Sequence, residues 1–171
     1  MKNFLELAKE RFSCRNLTDK PIEQEKIDRI LQAAISAPTA KNIQPYKIWK
    51  ISSPEGIEKI KQVTNFTFGA KFFLAVGVDE KISFVRPFDN LNYGLIDGAI
   101  ISTHIMLAVQ DEGLCTTWVG YFDAPKLQEL IPEMKNYKMI AIFPIGYPAE
   151  NAKPSNRHED RKNISEVVTE I

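Results

Sequence analysis

Apolar residues near the start of the chain recur at helical spacing. Phe4, Leu5, Ala8 and Phe12 share one face, which predicts an amphipathic helix over residues 2 to about 12. A second helix is predicted from about Glu23 to Ser36, with Ile27, Ile30, Leu31 and Ala34 as its buried stripe and Pro21 just upstream. Pro38 stops it, because the residue before a proline is driven out of the helical region. "SAPTAKNIQP" (36–45) follows, a polar run bracketed by prolines that reads as irregular structure between two apolar segments. "YKIWKIS" (46–52) then has the β-branched and aromatic content of a strand.

Ser53 caps the next helix, with Pro54 in its first turn and Ile57, Ile60 and Val63 at helical intervals. "FFLAVGV" (72–78) is apolar on both faces, which suits a central strand. Residues 92–112 read as a long helix whose Leu95, Ala99, Ser102, Met106 and Val109 allow close packing, and Gly113 supplies its stop. "TTWVGYF" leads into a short helix capped by Asp123, and "MIAIFPIG" (139–146) is another buried strand. Beyond Gly146 the chain is polar and proline-containing until "ISEVV". Helices dominate and no repeat, low-complexity tract or linker is visible. The expected fold class is α+β, a small sheet wrapped by helices, with residues 1–171 as one domain.

Composition narrows the function. A hydrophobic share of 44% and a charged share of 26% exclude disordered and fibrous classes. Twenty-two basic and 22 acidic side chains leave no net charge, which argues against a nucleic-acid partner. Cys14 and Cys115 are far apart in sequence, and no Cys/His cluster suggests a metal. The amino terminus lacks a secretory pattern, and the apolar stretch 98–110 is too short for a membrane span of about 20 residues. A cytoplasmic location without a membrane partner is expected.

The densest polar signal is "RFSCR". Arg11, Ser13 and Arg15 alternate where a helix gives way to extended chain, so both guanidiniums and the hydroxyl can converge on one anion. A phosphate suits them, because a guanidinium meets two of its oxygens at once. The same spacing also suits a solvated surface pair. Arg157 in "KPSNRHEDR" is a third candidate, although Arg161 shows how readily arginines occur in an exposed tail. Charge-assisted hydrogen bonds contribute about 1.5–3 kcal/mol each, so three arginines supply about 4.5–9 kcal/mol gross, while micromolar affinity needs about 8 net. The rest of a ligand must therefore be held elsewhere. Thr39, Asn42 and Gln44 on the proline-stiffened loop suit hydroxyl and amide groups, Gly120 permits close backbone approach, and Trp118 offers a flat surface. His104 lies among apolar residues and reads as a packed helix residue. Cys14, between two phosphate-binding candidates, is a weaker candidate for a reactive thiol. No GxGxxG or P-loop spacing exists.

Taken in order, these segments resemble the nitroreductase family of FMN-dependent oxidoreductases over nearly the whole chain. "RFSCR" is similar to the family's Arg-x-Ser-x-Arg element, "SAPTAKNIQP" to Ala-Pro-Ser-x-x-Asn-x-Gln-Pro, and "GLCTTWVGYF" to Gly-Leu-x-x-x-Trp-(Ile/Val)-Gly. "IGYP" and "KPSNR" match the closing Gly-Tyr-Pro and Pro-x-x-Arg pattern.

The resemblance implies a mainly antiparallel sheet and a homodimer with two shared flavin sites. Arg11, Ser13, Arg15 and Arg157 would hold phosphate and ribityl from one chain, with Phe12 and Cys14 in the same element. Pro38, Thr39 and Asn42, with Gln44 supporting the loop, would come from the other chain. Trp118, Val119 and Gly120 would line the isoalloxazine ring, with a backbone N–H near N5. The implied activity is ping-pong hydride transfer from NADH or NADPH to nitroaromatic, quinone or similar small electron-poor acceptors, with Arg15 stabilising charge on the reduced ring. A non-catalytic FMN store or sensor is the alternative. Phe12 stands where many relatives have a second arginine, Thr39 replaces a commoner serine, Lys41 a small residue and Lys71 a proline. The stretch 65–90 leaves little room for a helical excursion over the pocket, and "ISEVV" is expected to reach over the partner.

Overall fold

The computed structural model describes residues 3–171; the Lys2 end of the first predicted helix lies outside the described residues. The sheet has four antiparallel strands in the order β1 (Tyr46–Ile51), β2 (Phe72–Val78), β4 (Lys138–Gly146), β3 (Cys115–Thr116). β2 is bonded on both sides and all seven of its residues are buried, as its unbroken apolar run requires. Side chains alternate across it. Phe73 and Ala75 join Ile142 beneath Ile57 and Ile60 of α3 (Pro54–Val63) and Leu127 of α5 (Ala124–Leu130). Leu74 and Val76 join Phe143 beneath Ile27 and Ile30 of α2 (Gln24–Ile35) and Ile101 and Ile105 of α4 (Gly94–Asp111). The α+β class with helices on both faces is therefore observed.

Local chemistry sets the helix ends. Asn3 caps α1 (Phe4–Glu10), its side chain accepting from the Glu6 N–H while Glu6 bonds back to the Asn3 N–H. Ser53 accepts from Gly56, and Asp123 accepts from Lys126. At the end of α4, Gly113 adopts φ +70° and the Leu114 N–H reaches back to the Val109 carbonyl at 3.0 Å.

Three expectations change. The predicted face of α1 is not buried within the chain: Phe4 and Leu5 are 71% and 61% exposed. The buried stripe of α4 is Gly94, Asp97, Gly98, Ile101, Ser102, Ile105 and Val109, with Leu95 and Ala99 turned outward, because the helix is apolar all round and its period does not single out one face. Gly98 lets it lie close on the sheet, since a Cβ there would stand 2.8 Å from Ile140 Cγ1. Third, "CT" forms the two-residue β3 and the tail contains α6 (Ile164–Val167), both too short to show a period. No helix lies between β2 and α4, as the short 65–90 stretch implied.

Candidate active site

The chain from Arg11 to Thr18 is extended because neighbours on both sides use its backbone. Ser13 bridges Thr116 in parallel and the Cys14 N–H donates to the Thr116 carbonyl at 3.0 Å. Further on, Leu17 bridges Pro148, and the Asn16 side chain donates to Asn151 Oδ1 at 2.6 Å. The tail then returns. The His158 ring lies edge-on to Phe12 at 6.4 Å between centroids, with Nε2 3.0 Å from the Lys9 carbonyl oxygen.

That return closes a polar cavity of about 180 Å³ lined by Arg11, Phe12, Ser13, Arg15, Ser155, Arg157, His158 and Arg161. Among the described residues none of the four guanidiniums is ion-paired with a carboxylate. Four guanidiniums on one wall suit an anion, and the hydroxyls of Ser13 and Ser155 add donors. Sequence reasoning placed Arg161 in the exposed tail; the turns over 155–160, with His158 and Asp160 N–H groups bonded three residues back, bring it into the cavity. Nothing in its local sequence distinguishes it from a surface arginine.

Arg15 also lines a second cleft, of about 190 Å³, with Phe66, Phe68, Thr117, Trp118, Val119, Gly120 and Tyr121. Phe66 stacks on Phe68 at 5.8 Å and meets Tyr121 edge-on at 5.9 Å, so the cleft is walled by rings. These aromatics went unread in the sequence, although "NFTFG" pairs two phenylalanines beside a turn glycine. Trp118 is half-buried with its ring edge-on to Phe143 at 5.5 Å. Val119 is buried, and its N–H and carbonyl both bond Ile142 at 3.0 Å, so its N–H is not free for a ligand. The Gly120 N–H has no partner among the described residues.

The other predicted residues lie apart. Cys14 is wholly buried in the core, its thiol donating to the Asn16 carbonyl, and it does not line the cavity. It shares the core with Cys115, distant in sequence, and the interaction of the two thiols lowers the pKa of Cys14 while raising that of Cys115. His104 packs α4 on α2, with Nδ1 3.1 Å from the Ala33 carbonyl oxygen.

Pro38, Thr39, Asn42 and Gln44 line neither cavity. Their loop is strongly shaped. Lys41, Asn42 and Gln44 all have φ near +55°, at 53°, 55° and 55°, a region that non-glycine residues adopt only when their surroundings impose it. Thr39 Oγ1 accepts from the Gln44 N–H at 3.0 Å, and the Gln44 amide donates to Asn42 Oδ1 at 3.3 Å. Asp97 of α4 anchors the loop from below, accepting from the Ala40 N–H at 2.9 Å. A lone carboxylate inside the apolar run "GLIDGAI" was the sequence signal for Asp97.

The chain combines a four-stranded antiparallel sheet carrying helices on both faces with an arginine-lined cavity and an adjoining aromatic cleft. The Nitroreductase family profile matches residues 8–68. A crystal structure of a nitroreductase family protein from Clostridium difficile 630 is 36% identical, covers 98% of each chain and superposes with a TM-score of 0.90. An Archaeoglobus fulgidus protein provisionally named NADH dehydrogenase/NAD(P)H nitroreductase is 28% identical over 99% of both chains. A nitroreductase from Exiguobacterium sibiricum 255-15, solved in complex with FMN, shares the fold at 22% identity and a TM-score of 0.83, covering 100% of this chain and 98% of its own. The chain belongs to the nitroreductase family. Among the described residues no helix is long and apolar enough to cross a membrane.

Proposed function

We propose that residues 1–171 form one FMN-binding domain of a homodimer that oxidises NADH or NADPH and reduces small electron-poor acceptors such as nitroaromatics and quinones. The observation that carries this is the set of four guanidiniums, none ion-paired among the described residues, joined through Arg15 to an aromatic cleft. The donor set fits FMN: the arginine cavity suits a phosphomonoester and the cleft a flat ring. Bound FMN supplies the redox chemistry, taking hydride from the nicotinamide and delivering it to the acceptor in a ping-pong cycle.

The protein's own residues bind and polarise. Arg11, Ser13, Arg157 and Arg161 hold the phosphate, and Arg161 provides a fourth cation in a chain that has Phe12 where many relatives have a second arginine. Arg15, at the junction, sets a positive charge beside the ring site, where it stabilises developing negative charge. The Gly120 N–H, without a partner among the described residues, is a donor there, and the rings of Phe66, Phe68 and Tyr121 wall the cleft.

Pro38, Thr39, Asn42 and Gln44 complete the site from the second subunit. Support for the dimer comes from apolar surface left uncovered on one chain: Phe4 and Leu5 of α1, Leu95 and Ile96 of α4, and Ile164 and Val167 of α6 are all exposed.

The test is the visible spectrum of the purified protein with FMN, before and after anaerobic NADH and NADPH. Bleaching by a nicotinamide and recovery on adding a nitroaromatic or quinone is the expected result. Bound flavin that neither nicotinamide bleaches would make the protein a flavin store or sensor, and absence of flavin binding would overturn the site.

A further inference from the structure

A separate cavity of about 320 Å³ opens where the end of β1, the start of β2 and the end of β4 meet the loop leading into α2. Its floor is apolar, built from Ile27, Phe72 and Ile145, all under 8% exposed. Its rim is basic: Lys20, Lys50 and Lys71 converge there against a single carboxylate, Asp19. Among the described residues none of these lysines is ion-paired. The wall includes Thr18, whose hydroxyl oxygen is buried and makes no hydrogen bond within the protein.

The start of α2 also contributes. Gln24, its first residue, lines the cavity, and Glu23 occupies the capping position without capping, because its carboxylate accepts from the Tyr147 hydroxyl instead. The N–H groups of Gln24 and Glu25 are left without partners among the described residues. The partial positive charge of this helix start is offset by the carboxylates of Glu23 and Glu25 and the Lys20 ammonium lies over the Tyr147 ring at 4.0 Å, so Lys50 and Lys71 supply the charge at the rim.

We propose that this cavity is a second ligand site, for a small organic anion: a carboxylate or phosphomonoester on a compact apolar body. The Lys50 and Lys71 ammonium groups and the first-turn N–H groups take the charged head. The Ile27, Phe72 and Ile145 floor takes a ring or branched chain, which a bare inorganic ion would leave uncovered. None of these residues lines the arginine cavity or the aromatic cleft, so the inference stands apart from the proposed function.

Amide chemical-shift mapping tests it, with phenyl phosphate, benzoate and inorganic phosphate titrated separately into the FMN-saturated protein. Phenyl phosphate or benzoate is expected to move the amides of residues 18–20 and 22–25, Ser52 and Phe72, with inorganic phosphate weaker than phenyl phosphate. Whichever of the two organic probes binds more tightly identifies the head group. Lys50→Ala and Lys71→Ala should each weaken that binding about 3- to 10-fold, the range for charge-assisted bonds at a partly solvated rim. Shifts confined to the Arg11–Arg15 and Arg157 amides would overturn the proposal. So would inorganic phosphate binding as tightly as phenyl phosphate, or lysine variants that bind unchanged.

Discussion

The Asp97 carboxylate accepts the Ala40 N–H at 2.9 Å, tying the first turn of the longest helix to the loop that carries Thr39, Asn42 and Gln44. Asp97 is 1% exposed, so the bond is shielded from water and the loop's left-handed residues are held from beneath. Removing the acceptor frees a partly buried N–H, a loss of about 1 kcal/mol that is offset in part because the other Asp97 oxygen is buried without a partner. Asp97→Ala is therefore expected to change stability by less than about 1 kcal/mol, read from urea unfolding, and to weaken FMN binding through a loosened loop. Unchanged flavin affinity in a folded Asp97→Ala protein would show that the loop does not depend on this anchor.

The arginine cavity predicts a graded response. Arg157 and Arg161 are exposed, so each substitution to alanine should weaken FMN roughly 5- to 30-fold, toward the low end of charge-assisted bonds. Fluorescence titration of FMN measures this, and affinity should fall with added salt because the site is open to screening. If Arg161→Ala binds FMN like the native protein, the tail arginine is a surface residue after all.

Gly113 tests backbone conformation alone. Its φ of +70° is left-handed, and an added Cβ would meet nothing within 4 Å. Gly113→Ala should therefore lower stability by about 1–2 kcal/mol from conformational strain, read as a denaturant midpoint shift, and Gly113→Asn by less.

The sequence and the structure agree most closely where a period is long enough to count. α2, α3 and β2 fall within a residue or two of their predicted spans because each buries a repeated apolar stripe or run. β3 escaped because two residues carry no period, and the buried side of α4 was misread because all its sides are apolar. Spacing and resemblance picked out Arg11, Ser13, Arg15 and Arg157, which the fold brings to the wall of one cavity. They missed Arg161 and the Cys14–Cys115 contact, because both depend on tertiary returns of the chain: the 155–160 turns in one case and the Ser13–Thr116 bridge in the other.

The pairing of Arg29 with Glu112 gives the clearest dependence on pH. Arg29 Nε donates to Oε1 at 2.6 Å and Nη2 to Oε2 at 2.7 Å, while the Lys26 ammonium donates to the Glu112 backbone carbonyl at 2.7 Å. The bond from Arg29 holds the Glu112 carboxyl below the usual glutamate value, outweighing its partial desolvation. A carboxyl whose folded pKa is depressed stabilises the fold above its unfolded value of 4.5, and that contribution fades as pH falls through the lower folded value. Glu112→Gln should therefore melt below the native protein at pH 7, and the two melting curves should converge as pH drops beneath about 4. Added salt should narrow the gap at pH 7, since Arg29 is solvent-exposed. A gap of equal size at pH 3 and pH 7 would assign the effect to packing at the α2–α4 junction instead of to charge.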